Sequence, residues 1–163
     1  DLAILGMLSK GRIPAVVAAN KIDLLKSRGS LHMRLKEIGR ALGFAAYVPV
    51  IPISARTGEG VDRLLDTLGR VREEAHRRFS TSELNRVLQE VLSEKQPPSD
   101  RGRAVRFYYM TQMTGQPPRF IVFGNGRQVP EPYRRYMAGR LRARLGLGLS
   151  PVALTFRRSR PVR

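Results

Sequence analysis

Two short apolar segments constrain the first half of this chain more than any other feature. Residues 13–19 (IPAVVAA) and 48–53 (VPVIPI) have the length of strands and are apolar on both faces, which is typical of strands buried in a parallel sheet. Helical periodicity occurs before, between and after them. Alternating helices and strands predict a parallel α/β unit. Because two strands are too few for an independent sheet, we expect this unit to be the last part of a larger domain. The predicted buried face of its last helix consists of Val61, Leu64, Leu65, Leu68 and Val71.

The second half of the chain predicts a different arrangement, α-β-β-α-β. Its first helix starts at a capping box, Ser80-Thr81-Ser82-Glu83, where each side chain satisfies a free backbone N–H. Two strands follow, at 103–111 and 119–125, and then a helix and a last strand near residues 152–156. We therefore predict an α/β fold with two domains: a partial parallel α/β unit at 1–76, and a domain at 77–163 with a three-stranded sheet and two helices on one face.

The first strand of the second domain shows alternating residue types. The alternation predicts Val105, Phe107 and Tyr109 on one face and places Arg106, Tyr108 and Met110 on the other.

Positive charge is concentrated in the second domain. The chain has a net charge of +17, and residues 77–163 supply 18 Lys and Arg against 5 Asp and Glu, a net of +13. Seventeen of those 18 bases are Arg, whose planar donor fork suits phosphate and stacks on bases. A composition bias could explain Arg in place of Lys, but it does not explain the shortage of acids. Polyanion binding is therefore favoured over a merely solvated surface.

Other residue counts exclude several classes of protein. The absence of Cys excludes disulfides, thiolate metal sites and a cysteine nucleophile, and two His are too few for a His-rich metal cluster. The longest apolar run, at 13–19, has seven residues, far short of the roughly 20 that a membrane-spanning helix needs. No signal-peptide pattern is present at residues 1–3. We expect a cytoplasmic protein without a membrane partner.

A polar motif follows each apolar segment at the predicted carboxyl end of its strand. After the first comes Asn20-Lys21-Ile22-Asp23, a pattern that binds guanine in the GTPase superfamily. The Asp23 carboxylate can accept hydrogen bonds from N1–H and N2–H of guanine, which adenine cannot offer. Asn20 can bond the ring edge and tie neighbouring loops, and the Lys21 stem can lie along the base plane. In the alternative interpretation, Asp23 only caps a turn and Lys21 is solvated.

The second motif is Ser54-Ala55-Arg56, which is followed by Gly58 and Gly60. It resembles the Ser-Ala-Lys/Arg loop of the same superfamily, where the backbone N–H of the Ala position donates to guanine O6 and so rejects adenine. Two motifs in this order, each after a strand, predict a guanine site. Its residues are Asn20, Lys21, Asp23, Ser54, Ala55 and Arg56.

The phosphate-binding pattern Gly-x4-Gly-Lys-Ser/Thr does not occur in the sequence, nor does Asp-x-x-Gly. The sequence therefore predicts no binding site for the β- and γ-phosphates or for Mg²⁺. We expect no catalytic residue in this chain and no GTP hydrolysis by it alone.

Several longer stretches are similar to the Der (EngA) family of bacterial ribosome-assembly GTPases, which carry two tandem GTPase domains and a KH-like domain. Besides the two motifs, the stretches that carry the resemblance are 79–88, 108–112, 117–125, 133–144 and 151–158. The resemblance implies that residues 1–76 are a partial P-loop-GTPase-type unit, the end of the second GTPase domain, without the first domain and the catalytic front of the second. It also implies that residues 77–163 form the KH-like domain. Its implied ligands are GTP and GDP, with Mg²⁺ only in the intact GTPase domain, and its implied role is assembly of the large ribosomal subunit through ribosomal RNA.

KH modules usually hold RNA at a Gly-x-x-Gly loop, and this sequence contains none. We therefore expect RNA contact through the basic surface. The candidate residues are Arg135, Arg142, Arg157 and Arg158, while Arg140 and Arg144 lie closer to the predicted core edge and Arg160 and Arg163 extend a cationic tail.

Two other functions remain open at this stage. One is a free-standing RNA- or ribosome-binding module without a nucleotide function. The other is a basic domain that docks on acidic proteins or anionic lipid, although no predicted helix combines a basic face with exposed Trp or Phe. The paired guanine motifs favour the GTPase interpretation over both.

Overall fold

The computed structural model describes residues 2–25, 27–99, 103–126 and 128–159. The chain divides into two compact units, residues 1–75 with 149–151 and residues 76–148 with 152–163. The predicted domain limits, 1–76 and 77–163, stay a prediction, because this division groups residues 149–151 with the first unit. No described helix is both long enough and apolar enough to cross a membrane.

The first unit alternates helices and strands, as its sequence predicts. Its strands β1 and β2 pair in parallel, with Val17 opposite Val50 and Ala19 opposite Pro52. The predicted parallel α/β arrangement is therefore confirmed. The elements are α1 (Leu2–Gly11), β1 (Val17–Ala19), α2 (Arg28–Ala41), β2 (Val50–Pro52) and α3 (Val61–His76), with short 3-10 helices at Ile22–Leu24 and Gly43–Ala45.

The first unit has a small core. Ala45, Tyr47 and Val48 form its buried cluster, and α1 contains no buried residue. Helix α3 buries Val71 as predicted, but Leu65 and Leu68 are 59% and 44% exposed. The predicted apolar stripe of α3 is therefore only partly buried, because periodicity shows which residues share a face and not whether another layer covers that face.

The second unit contains two helices and a three-stranded sheet in the predicted order α-β-β-α-β. Strand β4 lies between an antiparallel neighbour, β3, and a parallel neighbour, β5. The predicted fold class of this half is confirmed. The elements are α4 (Thr81–Glu94), β3 (Phe107–Gln112), β4 (Arg119–Gly124), α5 (Glu131–Arg144) and β5 (Ala153–Arg158).

Both helices of this unit pack on one face of the sheet. Leu84 and Leu88 of α4 and Leu141 of α5 are fully buried together with Phe120 and Val122 of β4. The predicted cap forms at the start of α4, where the Ser80 hydroxyl accepts a hydrogen bond of 3.1 Å from the Glu83 N–H. Burying this apolar face supplies most of the driving force for folding.

The alternation predicted along β3 is wrong at Met110. The register shifts between Phe107 and Tyr109, so Phe107 and Met110 both join the core. An extra residue in one strand reverses the faces of the residues that follow it. Tyr109 consequently lies on the sheet face opposite the helices, where it stacks on Phe123 with a centroid distance of 4.5 Å.

Candidate functional site

The two polar motifs of the first unit meet beyond the carboxyl ends of β1 and β2. The Ile53 N–H donates to the Ala19 carbonyl at 2.9 Å, and the Ile22 N–H donates to the Ile53 carbonyl at 3.2 Å. These bonds continue the pairing of the strands into the loops. The loop at residues 20–23 therefore lies directly beside the loop at residues 54–56, since parallel strands end at the same edge of a sheet.

Asn20 ties the two loops together. Its side-chain Oδ1 accepts hydrogen bonds from the Lys21 N–H at 2.7 Å and from the Ala55 N–H at 3.0 Å. Lys21 adopts a left-handed backbone with φ of 71°, a strained conformation for a residue with a β-carbon. Such strain persists only where surrounding bonds fix the loop, as Asn20 does here.

The Asp23 carboxylate is held from two sides. The Ser54 hydroxyl donates to Oδ1 at 2.7 Å, and Arg56 donates to Oδ2 through Nε at 3.0 Å and Nη2 at 2.9 Å. The hydrogen bond from Ser54 lowers the pKa of Asp23 below its ordinary value, with a further lowering by Arg56, against an opposing effect of burial. Asp23 is therefore an oriented, ionised acceptor near neutral pH.

The acceptor capacity of Asp23 is partly used in this structure. Oδ1 accepts one hydrogen bond, from Ser54, and Oδ2 accepts two, from Arg56. Each carboxylate oxygen has two lone pairs, so Asp23 can accept a pair of neighbouring N–H donors once Arg56 gives up one of its bonds. Lys21 and Arg56 are exposed beside it. The Ala55 N–H, expected to donate to guanine O6, donates to Asn20 in this structure. The structure thus places all six predicted residues in one cluster, and their role in binding guanine stays a prediction.

No group of three or more His, Asp or Glu side chains that could hold a metal ion occurs among the described residues.

On the second unit, the helices neutralise much of their own charge. Arg140 of α5 donates to Glu94 of α4 at 2.6 Å, and Arg144 forms ion pairs with both Glu90 and Glu94. The hydrogen bonds from Arg140 and Arg144 lower the pKa of Glu94 from 4.5 to about 2. These ion pairs connect the two helices, and they agree with the predicted place of Arg140 and Arg144 at the core edge.

The structure does not bring the four predicted RNA-contact arginines together. Arg135 and Arg142 lie on α5; Arg135 is 3.9 Å from Glu131 across one helical turn, and Arg142 is half-buried. Arg157 lies opposite Phe123 in the register of β4 and β5, which puts it on the sheet face away from the helices. Arg158 is exposed at the end of β5. Arg160 and Arg163 lie outside the described residues.

Sequence reasoning missed two features of this surface. It did not pair Glu90 and Glu94 with the arginines of α5, although both sets have the four-residue spacing of one helix face. It also assigned no role to Arg106, which is exposed at the start of β3. Nothing in the local pattern distinguishes Arg106, since its position depends on which strand ends lie beside it.

Comparison with known proteins identifies the family. Residues 78–157 match the family model described as the KH-domain-like, carboxyl-terminal domain of EngA bacterial GTPase enzymes. The chain is 35% identical over 158 residues to GTPase Der of Sulfurihydrogenibium, and this alignment covers 96% of this chain and 35% of that protein. The chain belongs with the carboxyl-terminal part of the Der (EngA) family. Its resemblance to that family, inferred from the motifs, is confirmed.

Other Der proteins match the chain in the same way. GTPase Der of Moorella thermoacetica is 39% identical over 147 residues, with 89% of this chain and 34% of that protein covered. The chain thus spans about a third of the length of the curated Der relatives that it matches. Among solved structures, a variant of Aquifex aeolicus Era bound to GDP and AlF4⁻ is 18% identical over 90% of this chain and 56% of that one, with a TM-score of only 0.31.

Proposed function

We propose that this chain supplies the guanine-recognition part and the RNA-contacting domain of a cytoplasmic GTPase that acts in assembly of the large ribosomal subunit. The observation that supports the guanine role best is the Asp23 carboxylate, oriented by Ser54 and Arg56 at the ends of two adjacent parallel strands. The name GTPase Der, carried by relatives along 96% of this chain, supports the same role.

Base selectivity follows from the charge and donor pattern of the cluster. Asp23 accepts the N1–H and N2–H of guanine, and the Ala55 N–H donates to O6 once Asn20 exchanges its bond for the base. Adenine offers an amine where O6 would be, so two donors would face each other. GTP and GDP are the proposed ligands, and Mg²⁺ would bind with the phosphate loop of an intact GTPase domain.

The base contacts alone support weak binding, because phosphate and Mg²⁺ contacts supply most of the affinity in such sites. We therefore expect no GTP hydrolysis by this chain and detectable binding of guanosine only at high concentration. Saturation-transfer NMR with guanosine, adenosine and xanthosine tests the site directly. The chain should favour guanosine, and micromolar GTP affinity by calorimetry would contradict the expectation.

The substitution Asp23→Asn tests the assigned acceptor. The new amide donates where the carboxylate accepted, so preference should move from guanosine to xanthosine, whose ring presents an oxygen at that edge. The conservative control Arg56→Lys keeps a cation beside Asp23 and should keep the guanosine preference. An unchanged preference for guanosine in the Asp23→Asn variant would contradict the role of Asp23 as the acceptor for the base. It would then favour a free-standing RNA- or ribosome-binding module without a nucleotide function.

The first unit leaves apolar side chains and a strand edge uncovered in the described part of the chain. The apolar side chains of Leu2, Ile4 and Met7 on α1 are 53%, 59% and 73% exposed, and β1 has one edge without a paired strand in the described part of the chain. Parallel strands are normally covered on both faces and flanked by further strands. We propose that other GTPase-domain segments of the same polypeptide cover this surface, consistent with relatives of which this chain spans 35–36%.

The RNA role rests on the basic second unit. Arg135, Arg142, Arg157 and Arg158 are the candidate contacts, and ribosomal RNA of the large subunit is the proposed partner. If about five cations engage phosphate, the slope of log K against log salt should be near −4, from roughly 0.7–0.9 per contact. A filter-binding titration of the chain against large-subunit RNA at several salt concentrations measures this slope. Weak binding without salt dependence would count against the RNA role.

A further inference from the structure

The charges of the second unit are divided between its two layers. The four described acidic residues of 77–163 all lie on helices. The strands and strand ends carry arginine and no acid in the described ranges. The acids of the helices are Glu83, Glu90 and Glu94 on α4 and Glu131 on α5.

Three arginines converge at one end of the sheet. Arg106 precedes β3, and Arg157 and Arg158 end β5, while Gly124 at the end of β4 lies between them in the register. All three side chains are exposed. Unlike Arg140 and Arg144, they make no hydrogen bond or ion pair with other residues of the described ranges. Their charge is therefore available to a phosphate backbone.

An aromatic pair lies on the face opposite the helices. Arg157 shares this face, as does Arg106, whose neighbours Val105 and Phe107 both join the core, whereas Arg158 points to the other face. Tyr109 and Phe123 stack with ring centroids 4.5 Å apart and an interplanar angle of 14°. Arg157 is the partner of Phe123 on the neighbouring strand. Both rings are half-buried, so part of each ring reaches solvent. We call Arg106, Tyr109, Phe123 and Arg157 the sheet-end patch.

We propose that the sheet-end patch binds single-stranded RNA, with phosphates on its arginines and an unpaired base stacked against the Tyr109–Phe123 pair. This inference rests on the proposed RNA role and assigns the main RNA contact to the sheet instead of α5. Stacking on aromatic rings needs a base whose face is not already covered, which a single strand offers and a duplex does not. Charge complementarity favours the sheet end over the helix layer, because Glu90 and Glu94 already pair with Arg86, Arg140 and Arg144 of the helices.

The first experiment separates the two layers by charge. Fluorescence anisotropy of the whole chain with a labelled single-stranded RNA of about 12 nucleotides is measured at several salt concentrations. The double substitution Arg106→Gln with Arg157→Gln should reduce the steepness of the salt dependence by roughly 1.5, at 0.7–0.9 per contact. The matched control, Arg86→Gln with Arg140→Gln, removes the same charge from helix arginines that already pair with Glu90 and Glu94 and should leave the slope nearly unchanged.

The second experiment tests the stacking contact. Tyr109→Leu keeps apolar bulk but removes the ring, so affinity should fall by about fivefold or more at every salt concentration, with an unchanged slope. Tyr109→Phe keeps the ring and should bind like the parent chain. Circular dichroism melting establishes that each variant is folded. A duplex of the same length should bind more weakly than the single strand and should not respond to Tyr109→Leu.

The outcomes separate this inference from the proposed function. Equal losses in the sheet and helix variants, or normal binding by Tyr109→Leu, would overturn the sheet-end patch while leaving the RNA role intact. Competition by polyglutamate as effective as that by unlabelled RNA would identify an acidic protein as the partner and overturn the inference. Absence of RNA binding by the parent chain at low salt would overturn the RNA role itself.

Discussion

Two glycines in the loop after β2 provide a matched test of how that loop is built. Gly58 and Gly60 both have left-handed backbones, with φ of 81° and 79°. A β-carbon at Gly58 would meet nothing within 4 Å, whereas one at Gly60 would lie 2.3 Å from the Pro52 carbonyl oxygen. The substitutions Gly58→Ala and Gly60→Ala therefore share the conformational penalty and differ only in the clash.

The expected magnitudes follow from this geometry. The left-handed conformation costs an alanine about 1–2 kcal/mol, so Gly58→Ala should lower the free energy of unfolding by about that amount. At Gly60 the added carbon lies 0.7 Å inside the 3.0 Å that real β-carbon contacts respect. Pro52 belongs to β2, so relief of the clash must displace the strand and weaken its backbone hydrogen bonds, at about 0.5–1.5 kcal/mol for each. We expect about 3 kcal/mol or more for Gly60→Ala.

The assay is urea unfolding followed by circular dichroism, together with the guanosine NMR experiment on each variant. Gly60→Ala should also lose guanosine binding, since movement of β2 shifts Ser54 and Ala55 away from Asn20 and Asp23. Gly58→Ala should retain it. Equal stability losses in the two variants would refute the close approach of Gly60 to Pro52.

Three further predictions concern the second unit. Hydrogen bonds from Arg140 and Arg144 lower the pKa of Glu94 from 4.5 to about 2. The ionised Glu94 therefore stabilises the fold above about pH 4.5, and this contribution is lost as the pH falls towards 2. Acid unfolding of the Glu94→Gln variant should be less steep than that of the parent chain in this pH range. Ser80→Ala removes the acceptor for the Glu83 N–H and should lower the free energy of unfolding by about 1 kcal/mol, whereas Ser80→Asp should restore it in the same urea titration. Leu141→Ala leaves a cavity among fully buried side chains and should lower the free energy of unfolding by about 2–5 kcal/mol; a value under 1 kcal/mol would contradict the close packing of α5 on the sheet.

Local pattern predicted the order and type of the elements well. The cap at Ser80, the apolar positions of α4 and the strands of both sheets are local properties of the sequence, and the structure confirms them. Whether the apolar face of α3 is buried could not be predicted from the local pattern. Leu65 and Leu68 have the period of a buried face, but burial depends on whether another layer is present.

The guanine-site candidates were predicted from motif and order. Asn20 was expected to tie neighbouring loops, but its partner was not predicted, because Asn20 and Ala55 are 35 residues apart. The register of β1 and β2 decides that the Asn20 side chain accepts from Ala55 and that Arg56 reaches Asp23. A sequence pattern can place residues at the end of a strand, but it does not show which side chain is closest to which.

The α/β class, the two polar motifs after buried strands and the excess of arginine in the second half can all be read from the sequence. These depend on residue types, on spacing and on composition. The tertiary structure alone decided which arginines are available. Arg140 and Arg144 are paired with Glu90 and Glu94 because two distant helices pack side by side. Arg157 joins Phe123 and Tyr109 on the opposite face because a shift in the register of β3 turns Tyr109 away from the core. Charge is a property of each residue, whereas its neutralisation depends on long-range contacts that the fold creates.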